Sequence, residues 1–141
     1  MLPAQLYSMK YASLFGILCL VLMAATCKQP SKLEAQLTGK TWLHSFEDDQ
    51  NDLTVFRPNT FNFPPSRGRT GFALEPGGVI IRYDIAPTDG LEEHTGKWTL
   101  NDDKTIQVTL DEEDINDRQY RLEIVSLKDD VLKVRQHFQN R

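Results

Sequence analysis

The sequence predicts an all-β fold, an antiparallel up-and-down β-barrel of about eight strands preceded by one short helix. From residue 41 onward, apolar and polar residues alternate with a period of two, which is typical of strands with one buried face. Short clusters of Gly, Pro, Asn and Asp separate these runs, and no long run there has the apolar spacing of a helix. Closing such a meander removes the exposed sheet edges, so we favour a barrel over the alternative, a two-sheet sandwich.

The helix comes first and is predicted from its ends. Ser31 and Glu34 have the spacing of a capping box, Leu33 and Leu37 share one face, and Gly39 would end the helix. The expected strands begin, in chain order, at Thr41, Leu53, Phe72, Val79, Lys97, Thr105, Gln119 and Val131. In the fourth strand, Val79, Ile81, Tyr83 and Ile85 are expected on one face, with Tyr83 lining the interior, and Arg82 and Asp84 on the other.

A leader precedes this domain, and Cys27 marks its end. Lys10 is followed by an apolar stretch from Leu14 to Ala25, and the chain becomes polar directly after Cys27. A basic start, a short apolar core and small residues before the break are the parts of a secretory signal peptide. With a cysteine at the break, the segment resembles a bacterial lipoprotein signal. We therefore predict a signal peptide over residues 1–26, a lipidated N-terminus and tether over 27–32, and the barrel domain over 33–141.

Two other interpretations of the leader stay open, an uncleaved membrane anchor and an ordinary cleaved signal. The cysteines favour lipidation, because Cys19 would leave with the leader and Cys27 would remain as the only thiol of an exported chain. Acylation of Cys27 would anchor the protein in a lipid bilayer. The expected location is the bacterial cell envelope, on the periplasmic face or at the cell surface.

The charge of the chain narrows the possible partners. The formal net charge is −4, and all 20 acidic residues lie beyond residue 26. An acidic domain argues against a nucleic-acid partner, which requires a basic face. It also argues against electrostatic docking on anionic lipid.

Two short motifs carry a resemblance to a known family. Gly39-Lys40-Thr41-Trp42 opens the first strand after a leucine-containing helix, and Gly96-Lys97-Trp98 provides a central G-x-W. Over residues 33–138 the chain resembles the small bacterial lipocalin-like domains of unknown function that lipoproteins carry. Lipocalins bind small apolar ligands, so the resemblance implies a barrel with an interior ligand site, although fold alone does not establish function.

The segment from Arg57 to Arg69 is the first candidate for chemistry. It holds three arginines, two phenylalanines and three prolines in an otherwise acidic domain. Prolines lower the cost of ordering a loop, and arginine forks bind carboxylates and phosphates. The alternative is that the arginines pair with this protein's own acids, for which Asp84, Asp89 and Glu92-Glu93 are the obvious partners, and that the two phenylalanines plug the end of the barrel.

The other polar clusters are interpreted as structural. Ala86-Pro87-Thr88-Asp89-Gly90 is predicted to be a turn, and the acidic run from Asp111 to Asp114, with Asp117 beyond it, lacks the spacing of a calcium loop. His44 is expected to line the interior, His94 to lie in a loop, and His137 to occupy an exposed strand position. We find no nucleophile motif and no metal-ligand spacing, so we expect neither an enzyme nor a bound cofactor or metal.

We therefore predict a non-catalytic module that binds a small apolar or anionic ligand. The six residues expected to line its pocket are Trp42, His44, Phe72, Tyr83, Trp98 and Tyr120, and the arginines expected near its entrance are Arg57, Arg67 and Arg69. Apolar walls with a few converging polar groups are the usual chemistry of such pockets. The alternative is a protein-binding module with a solid barrel, such as an inhibitor of an envelope hydrolase or an assembly accessory, which would present the proline-rich loop to its partner.

Overall fold

One short α-helix and eight strands make up most of the regular structure of residues 29–139, the part of the chain that the computed structural model describes. These elements are α1 (Lys32–Leu37), β1 (Thr41–His44), β2 (Thr54–Pro58), β3 (Gly71–Glu75), β4 (Val79–Ile85), β5 (Leu91–Asn101), β6 (Thr105–Leu110), β7 (Gln119–Lys128) and β8 (Val131–Phe138). A single 3-10 turn, Phe46–Asp48, follows β1. The predicted leader and lipidated Cys27 lie outside the described residues. Within residues 29–139, no helix is long and apolar enough to cross a membrane.

The eight strands close into an antiparallel barrel, as predicted. Each strand from β3 to β8 pairs with the next one along the chain. The order departs from a consecutive meander at one place, because β1 lies between β2 and β3, and β2 closes the barrel against β8. The predicted number of strands and the predicted antiparallel closure are confirmed. The exchanged positions of β1 and β2 in the strand order were not predicted.

The position of β1 explains the long connection between β2 and β3. Both strands run antiparallel to β1 and therefore parallel to each other. Parallel strands of one sheet need a crossover connection of about a dozen residues rather than a hairpin. Residues 59–70 form this crossover segment. It leaves the barrel beside Thr41 and returns beside His44, so it passes along the outside of β1.

One end of the barrel, which we call the closed end, is capped by α1. The Ser31 hydroxyl accepts a hydrogen bond from the Glu34 amide at 3.1 Å, which is one arm of the predicted capping box. Leu37 is fully buried in the core, and its carbonyl oxygen accepts a hydrogen bond from Trp42 Nε1 at 2.9 Å. Because the helix contributes an apolar side chain and a main-chain acceptor to the interior, it holds this end of the barrel shut.

The three tight hairpins also lie at the closed end. They connect β3 to β4, β5 to β6 and β7 to β8. Asp102-Asp103 and Asp129-Asp130, the central pairs of the last two turns, have positive φ and form type I′ turns, whose twist matches that of the flanking strands. In the first turn the Gly78 amide donates to the carbonyl oxygen of Glu75, so Pro76 and Gly77 are the central residues, and the positive φ of Gly77 is typical of a type II turn. The opposite end, which we call the open end, carries the longer segments 45–53, 86–90 and 111–118.

Inward-facing apolar side chains fill the barrel from the closed end to its middle. The buried core consists of Leu37, Trp42, Phe56, Phe72, Leu74, Ile80, Trp98, Ile106, Val108, Leu110, Tyr120, Leu122, Leu132 and Val134. A Cβ on Gly96 would collide with the main chain of β6 at Thr109 and Leu110. The glycine of the G-x-W motif is therefore required for the close approach of β5 and β6.

The inner face of β4 is opposite to the predicted one. Ile80 is fully buried in the core, and alternation along the strand turns Arg82 and Asp84 inward as well. Tyr83 consequently lies on the outer face, so its predicted place in the interior is wrong. Alternation determines which residues share a face, but it does not determine which face points into the barrel.

The strand β5 begins six residues earlier than predicted, at Leu91. The extension pairs with the last part of β4, where His94 lies opposite Arg82. His94 is therefore an inward, buried strand residue and not the loop residue that the sequence suggested.

Candidate functional site

A cavity of about 190 Å³ opens to solvent at the open end of the barrel. Its lining combines aromatic and aliphatic side chains from β2, β3, β7 and β8, which we call the aromatic floor, with polar groups from β4, β8 and the segment before β7. Its lining comprises Phe56, Thr70, Gly71, Phe72, Arg82, Asp84, Asp117, Tyr120, Leu122, Gln136 and Phe138. We call this cavity the mouth pocket.

An ion pair forms the polar wall of the mouth pocket. Arg82 Nε donates to Asp84 Oδ2 at 2.7 Å, and Arg82 Nη2 lies 2.6 Å from the same oxygen. Arg82 Nη1 donates a longer hydrogen bond, 3.4 Å, to the carbonyl oxygen of Asp117. Because residues two apart on a strand share a face, β4 delivers both charges to the interior, and each offsets the desolvation of the other.

Tyr120 is the ring of the aromatic floor that lies beside this ion pair. The Arg82 guanidinium lies 5.8 Å from the centre of its ring, and the Phe138 ring packs on its other side with centroids 5.9 Å apart. Burial raises the pKa of Tyr120 to about 12, with Asp84 acting in the same direction and Arg82 against it. The hydroxyl is therefore neutral at physiological pH, and it already interacts with Arg82.

Behind the ion pair lies His94, a buried histidine surrounded by carboxylates. Its Nε2 is 3.7 Å from Asp84 Oδ2 and 3.9 Å from Glu92 Oε2, and its Nδ1 is 3.4 Å from Glu112 Oε2. Nδ1 is the one buried side-chain nitrogen or oxygen in the described part of the chain that has no hydrogen-bond partner. The interior of the open end is thus polar and incompletely satisfied.

Two of the six predicted interior lining residues, Phe72 and Tyr120, line the mouth pocket. Trp42 and Trp98 are core residues nearer the closed end, and Trp98 Nε1 donates to the carbonyl oxygen of Glu75 at 3.1 Å. His44 packs on Phe56 with ring centroids 5.6 Å apart, but its Nε2 lies 2.8 Å from Asp49 Oδ2, outside the lining. Tyr83 faces outward, where burial raises its pKa.

Arg69, predicted to stand near the pocket entrance, instead holds the crossover segment against the barrel. Its guanidinium makes two hydrogen bonds to Glu47, at 2.9 and 2.5 Å, and donates to the carbonyl oxygens of His44 and Pro64 at 3.0 Å each. The Glu47 carboxylate raises the pKa of Arg69, and Arg69 lowers the pKa of Glu47. This residue is therefore committed to internal contacts.

Arg57 is also paired within the protein. Its Nε donates to Asp48 Oδ2 at 2.9 Å, which lowers the pKa of Asp48, and its guanidinium covers the Phe61 ring at 4.3 Å. Arg57 and Arg69 therefore pair with acids of this protein, as the alternative interpretation expected. The acids are Asp48 and Glu47 and not the expected residues of the β4–β5 hairpin.

Phe61 and Phe63 do not plug the barrel, contrary to the alternative interpretation of the loop. Their rings contact each other at 5.0 Å, and they lie on Arg57 and Arg69 respectively. Arg57 neighbours the inward Phe56 on β2 and therefore faces outward. The two rings belong to the outer covering of β1 and β2.

Arg67 lines a separate outer groove. This groove has a volume of about 290 Å³ and lies between the crossover segment and the β4–β5 hairpin. Its lining comprises Leu43, Ser66, Arg67, Gly68, Arg69, Ile85, Asp89, Gly90 and Leu91. Ile85 and Leu91 are 45% and 66% exposed, so the groove has an apolar side on the protein surface. We call it the outer groove.

The 111–118 segment, which connects β6 to β7 at the open end, carries five acidic residues. Within residues 29–139, none of the five side-chain carboxylates there pairs with a lysine or arginine side chain, although the main-chain carbonyl of Asp117 accepts from Arg82, and the Glu112 carboxylate approaches only His94. In the same part of the chain, no group of three or more His, Cys, Asp or Glu side chains is arranged to hold a metal ion.

Sequence reasoning missed the residues that give the mouth pocket its polarity, chiefly Arg82, Asp84 and His94. One signal was present: Arg82 and Asp84 are opposite charges two residues apart on a strand, and such a pair can be buried together. The apolar residues of β4 outnumber the charged ones, so the opposite face looked like the inner one. No local signal reports that His94 lies opposite Arg82.

Comparison with known proteins does not add a relative to this description. No family model, no curated protein and no solved structure matches the chain.

The mouth pocket combines an aromatic floor, a neutral phenol and a guanidinium–carboxylate pair, and this combination is typical of sites for small molecules.

Proposed function

We propose that this protein is a non-catalytic binding module that takes a small, mainly apolar ligand into the mouth pocket. The observation that carries the proposal is the contrast between a core packed from the closed end to the middle and a cavity of about 190 Å³ left at the open end. Native interiors leave few voids larger than a water molecule, so an open cavity with converging polar groups favours an occupant.

The volume of the mouth pocket limits the size of the ligand. A cavity of about 150 Å³ lined by apolar side chains accommodates benzene, whereas drug-sized ligands occupy sites of roughly 300–1,000 Å³. The mouth pocket, at about 190 Å³, therefore suits a body the size of one aromatic ring or a short aliphatic chain. A longer ligand would extend through the mouth into solvent.

The polar residues of the lining would orient the ligand. They are Arg82, Asp84, Tyr120 and Gln136, while Phe56 and Phe72 supply apolar rings. A ligand with one polar group and one apolar body would satisfy both parts. A wholly apolar ligand would leave the polar wall without hydrogen bonds, at a cost in affinity.

We further propose that the module is lipid-anchored through Cys27 in a bacterial cell envelope. The leader composition and the position of the cysteine support this, and acyl chains contribute about 0.8 kcal/mol of membrane affinity per buried CH₂. The resemblance to lipocalin-like domains is supported by the closed barrel of eight antiparallel strands. The place of β1 between β2 and β3 distinguishes this barrel from a strict up-and-down order.

Native mass spectrometry of the full-length chain purified from its own cells tests the ligand. We expect an additional retained mass, beyond any acylation, on the unmodified protein. Thr70→Trp would fill the mouth pocket from its rim and should abolish that mass, whereas Thr88→Trp, in the exposed turn before β5, should retain it. A protein that carries no small molecule, or a Thr70→Trp variant that keeps it, would contradict the proposal.

Cell fractionation tests the anchor. Cys27→Ser should move the protein from the membrane to the soluble fraction, and intact-mass analysis of the unmodified chain should show an acylated N-terminus at Cys27. Cys19→Ser, within the leader, is the matched control and should leave the protein at the membrane. Retention of Cys27→Ser at the membrane would instead favour the uncleaved anchor.

A second candidate function, protein binding, is favoured by the outer groove. Leu91 and Ile85 are exposed there beside Arg67, and contiguous exposed apolar residues with a polar rim are typical of protein-binding surfaces. A photo-crosslinking residue at Leu91 should then capture a protein in living cells. The same probe at Thr99, an exposed position on β5, should capture none. Equal labelling from both positions would remove the support for this candidate.

A further inference from the structure

The charged groups around the mouth pocket bear on whether its ligand is an anion or a cation. The three arginines that the sequence offered for an anion are not available inside it, because Arg57 and Arg69 hold acids on the outer surface and Arg67 lies in the outer groove. Arg82 is the cation that reaches the pocket, and its Nε and Nη2 both contact Asp84. An incoming anion would have to compete with a carboxylate already in place.

Asp84, in contrast, retains an unused acceptor. Both contacts from Arg82, and the closest approach of His94, go to Asp84 Oδ2. Within residues 29–139, Oδ1 of the same carboxylate accepts no hydrogen bond. A carboxylate oxygen at the wall of a partly desolvated pocket binds a cationic donor more strongly than a neutral one.

The acidic 111–118 segment adds to the negative potential at the open end. It contributes five carboxylates that lack lysine or arginine partners in the described part of the chain, and Arg118 at its end donates to the carbonyl oxygen of Leu110. Glu112 lies against His94, next to the Arg82–Asp84 pair. Clefts lined by one sign of charge focus the field and raise the local concentration of ligands of the opposite sign.

The apolar part of the pocket is suited to the same ligand. Four aromatic rings, those of Phe56, Phe72, Tyr120 and Phe138, belong to the lining. The faces of aromatic rings attract organic cations, and the attraction increases when the cation is desolvated. An aromatic floor with a carboxylate at its edge is therefore a suitable environment for an ammonium group attached to a small apolar body.

We propose that the ligand of the mouth pocket is a small organic cation, an amine whose ammonium group hydrogen-bonds Asp84 Oδ1 while its apolar body lies on the aromatic floor. This proposal rests on the proposed ligand-binding function and specifies the chemical class of the ligand. The Arg82–Asp84 pair then positions the carboxylate, and Tyr120 supplies a neutral hydrogen-bonding group beside it.

Three probes of nearly equal size test the charge: benzylammonium, benzyl alcohol and benzoate. Their affinities for the full-length chain can be measured by isothermal titration calorimetry and by chemical-shift changes of the aromatic side chains of the pocket. We expect benzylammonium to bind about fivefold more tightly than benzyl alcohol, and benzoate to bind most weakly. Raising the salt from about 20 mM to about 300 mM should weaken the binding of benzylammonium and leave benzyl alcohol unchanged.

Asp84→Asn should abolish the preference for benzylammonium over benzyl alcohol. Asp89→Asn is the matched control, because it removes one charge from the β4–β5 turn outside the mouth pocket, where asparagine tolerates the positive φ of 63°. If Asp84→Asn fails to fold, Glu112→Gln combined with Glu113→Gln provides a second test. These loop substitutions should reduce the salt dependence of benzylammonium binding.

The possible outcomes separate this inference from the function on which it rests. Tighter binding of benzoate would overturn the cation proposal and indicate that Arg82 receives an anion, while the pocket would remain a ligand site. Equal binding of all three probes would also overturn it. If none of the probes binds and no native ligand is retained, the proposed function itself is wrong.

Discussion

The two ends of the barrel are built by different chemistry. At the closed end, α1 places Leu37 in an apolar core, and type I′ turns connect neighbouring strands. At the open end, longer segments surround an interior that contains Arg82, Asp84 and His94. The closed end satisfies the indole nitrogens of Trp42 and Trp98 by hydrogen bonds to main-chain carbonyls. The open end holds a half-buried ion pair and, within the described residues, leaves one oxygen of Asp84 without a hydrogen bond, so the two ends differ in how completely their polar groups are satisfied.

Truncation at the closed end should have the largest effect on stability. Leu37→Ala should lower the free energy of unfolding by about 3 kcal/mol, because it leaves a cavity beneath the helix. Denaturant unfolding of the full-length chain measures this change. Leu33→Ala, at a half-buried position on the same helix, should cost about 1 kcal/mol. Equal effects at both positions would mean that α1 does not cap the barrel.

Alkaline titration should destabilise the open end through Tyr120. Burial raises its pKa from 10.0 to about 12, so the folded state favours the protonated phenol. Stability is complete below pH 10 and falls as the pH rises towards 12, by about 2–3 kcal/mol in total, because the unfolded chain releases the proton first. Unfolding measured against pH should show this decline, and Tyr120→Phe should remove it. A decline of the same size in both proteins would contradict the assignment.

An apolar replacement at the open end should increase stability. His94→Leu removes a buried Nδ1 that has no hydrogen-bond partner, and the unfolding free energy should rise by about 1 kcal/mol. The change has the opposite sign to that expected for Leu37→Ala, which makes it a direct test of the difference between the two ends. His137→Leu, at an exposed position on β8, should have little effect. A loss of stability in His94→Leu would show that the surrounding carboxylates stabilise the fold through this histidine.

The smallest predicted effect concerns the turns of the closed end. Asp103 has a φ of 50°, a conformation that glycine adopts without steric cost, so Asp103→Gly should stabilise the protein by about 0.5–1 kcal/mol. Asp130→Gly relieves a similar φ of 57° but loses the 2.9 Å contact with Lys40, and should gain less. Thermal unfolding of the two variants checks the order. The reverse order would show that the salt bridge contributes nothing measurable.

Local patterns in the sequence determined most of the secondary structure. The Ser31 cap, the alternation along the strands and the turns between them depend on neighbouring residues only, and the helix and all eight strands appear close to their predicted positions, except that β5 begins six residues earlier. The antiparallel hairpins follow from the same patterns, but the pairing of β2 with β8 that closes the barrel joins distant residues, which is why the sandwich stayed open as an alternative. For the same reason, Trp42 and Trp98 were predicted to line a pocket, although both belong to the packed core.

Only the tertiary structure decided the order of the first two strands, the inner face of β4 and the partners of the arginines. Arg82 faces inward because it meets Asp84 and Tyr120, and Tyr120 is 38 positions away along the chain. His94 is buried because β5 extends to pair with the end of β4. Alternation along a strand shows which residues share a face, but it does not show which face points into the barrel. That depends on contacts with distant strands, which a local pattern does not contain.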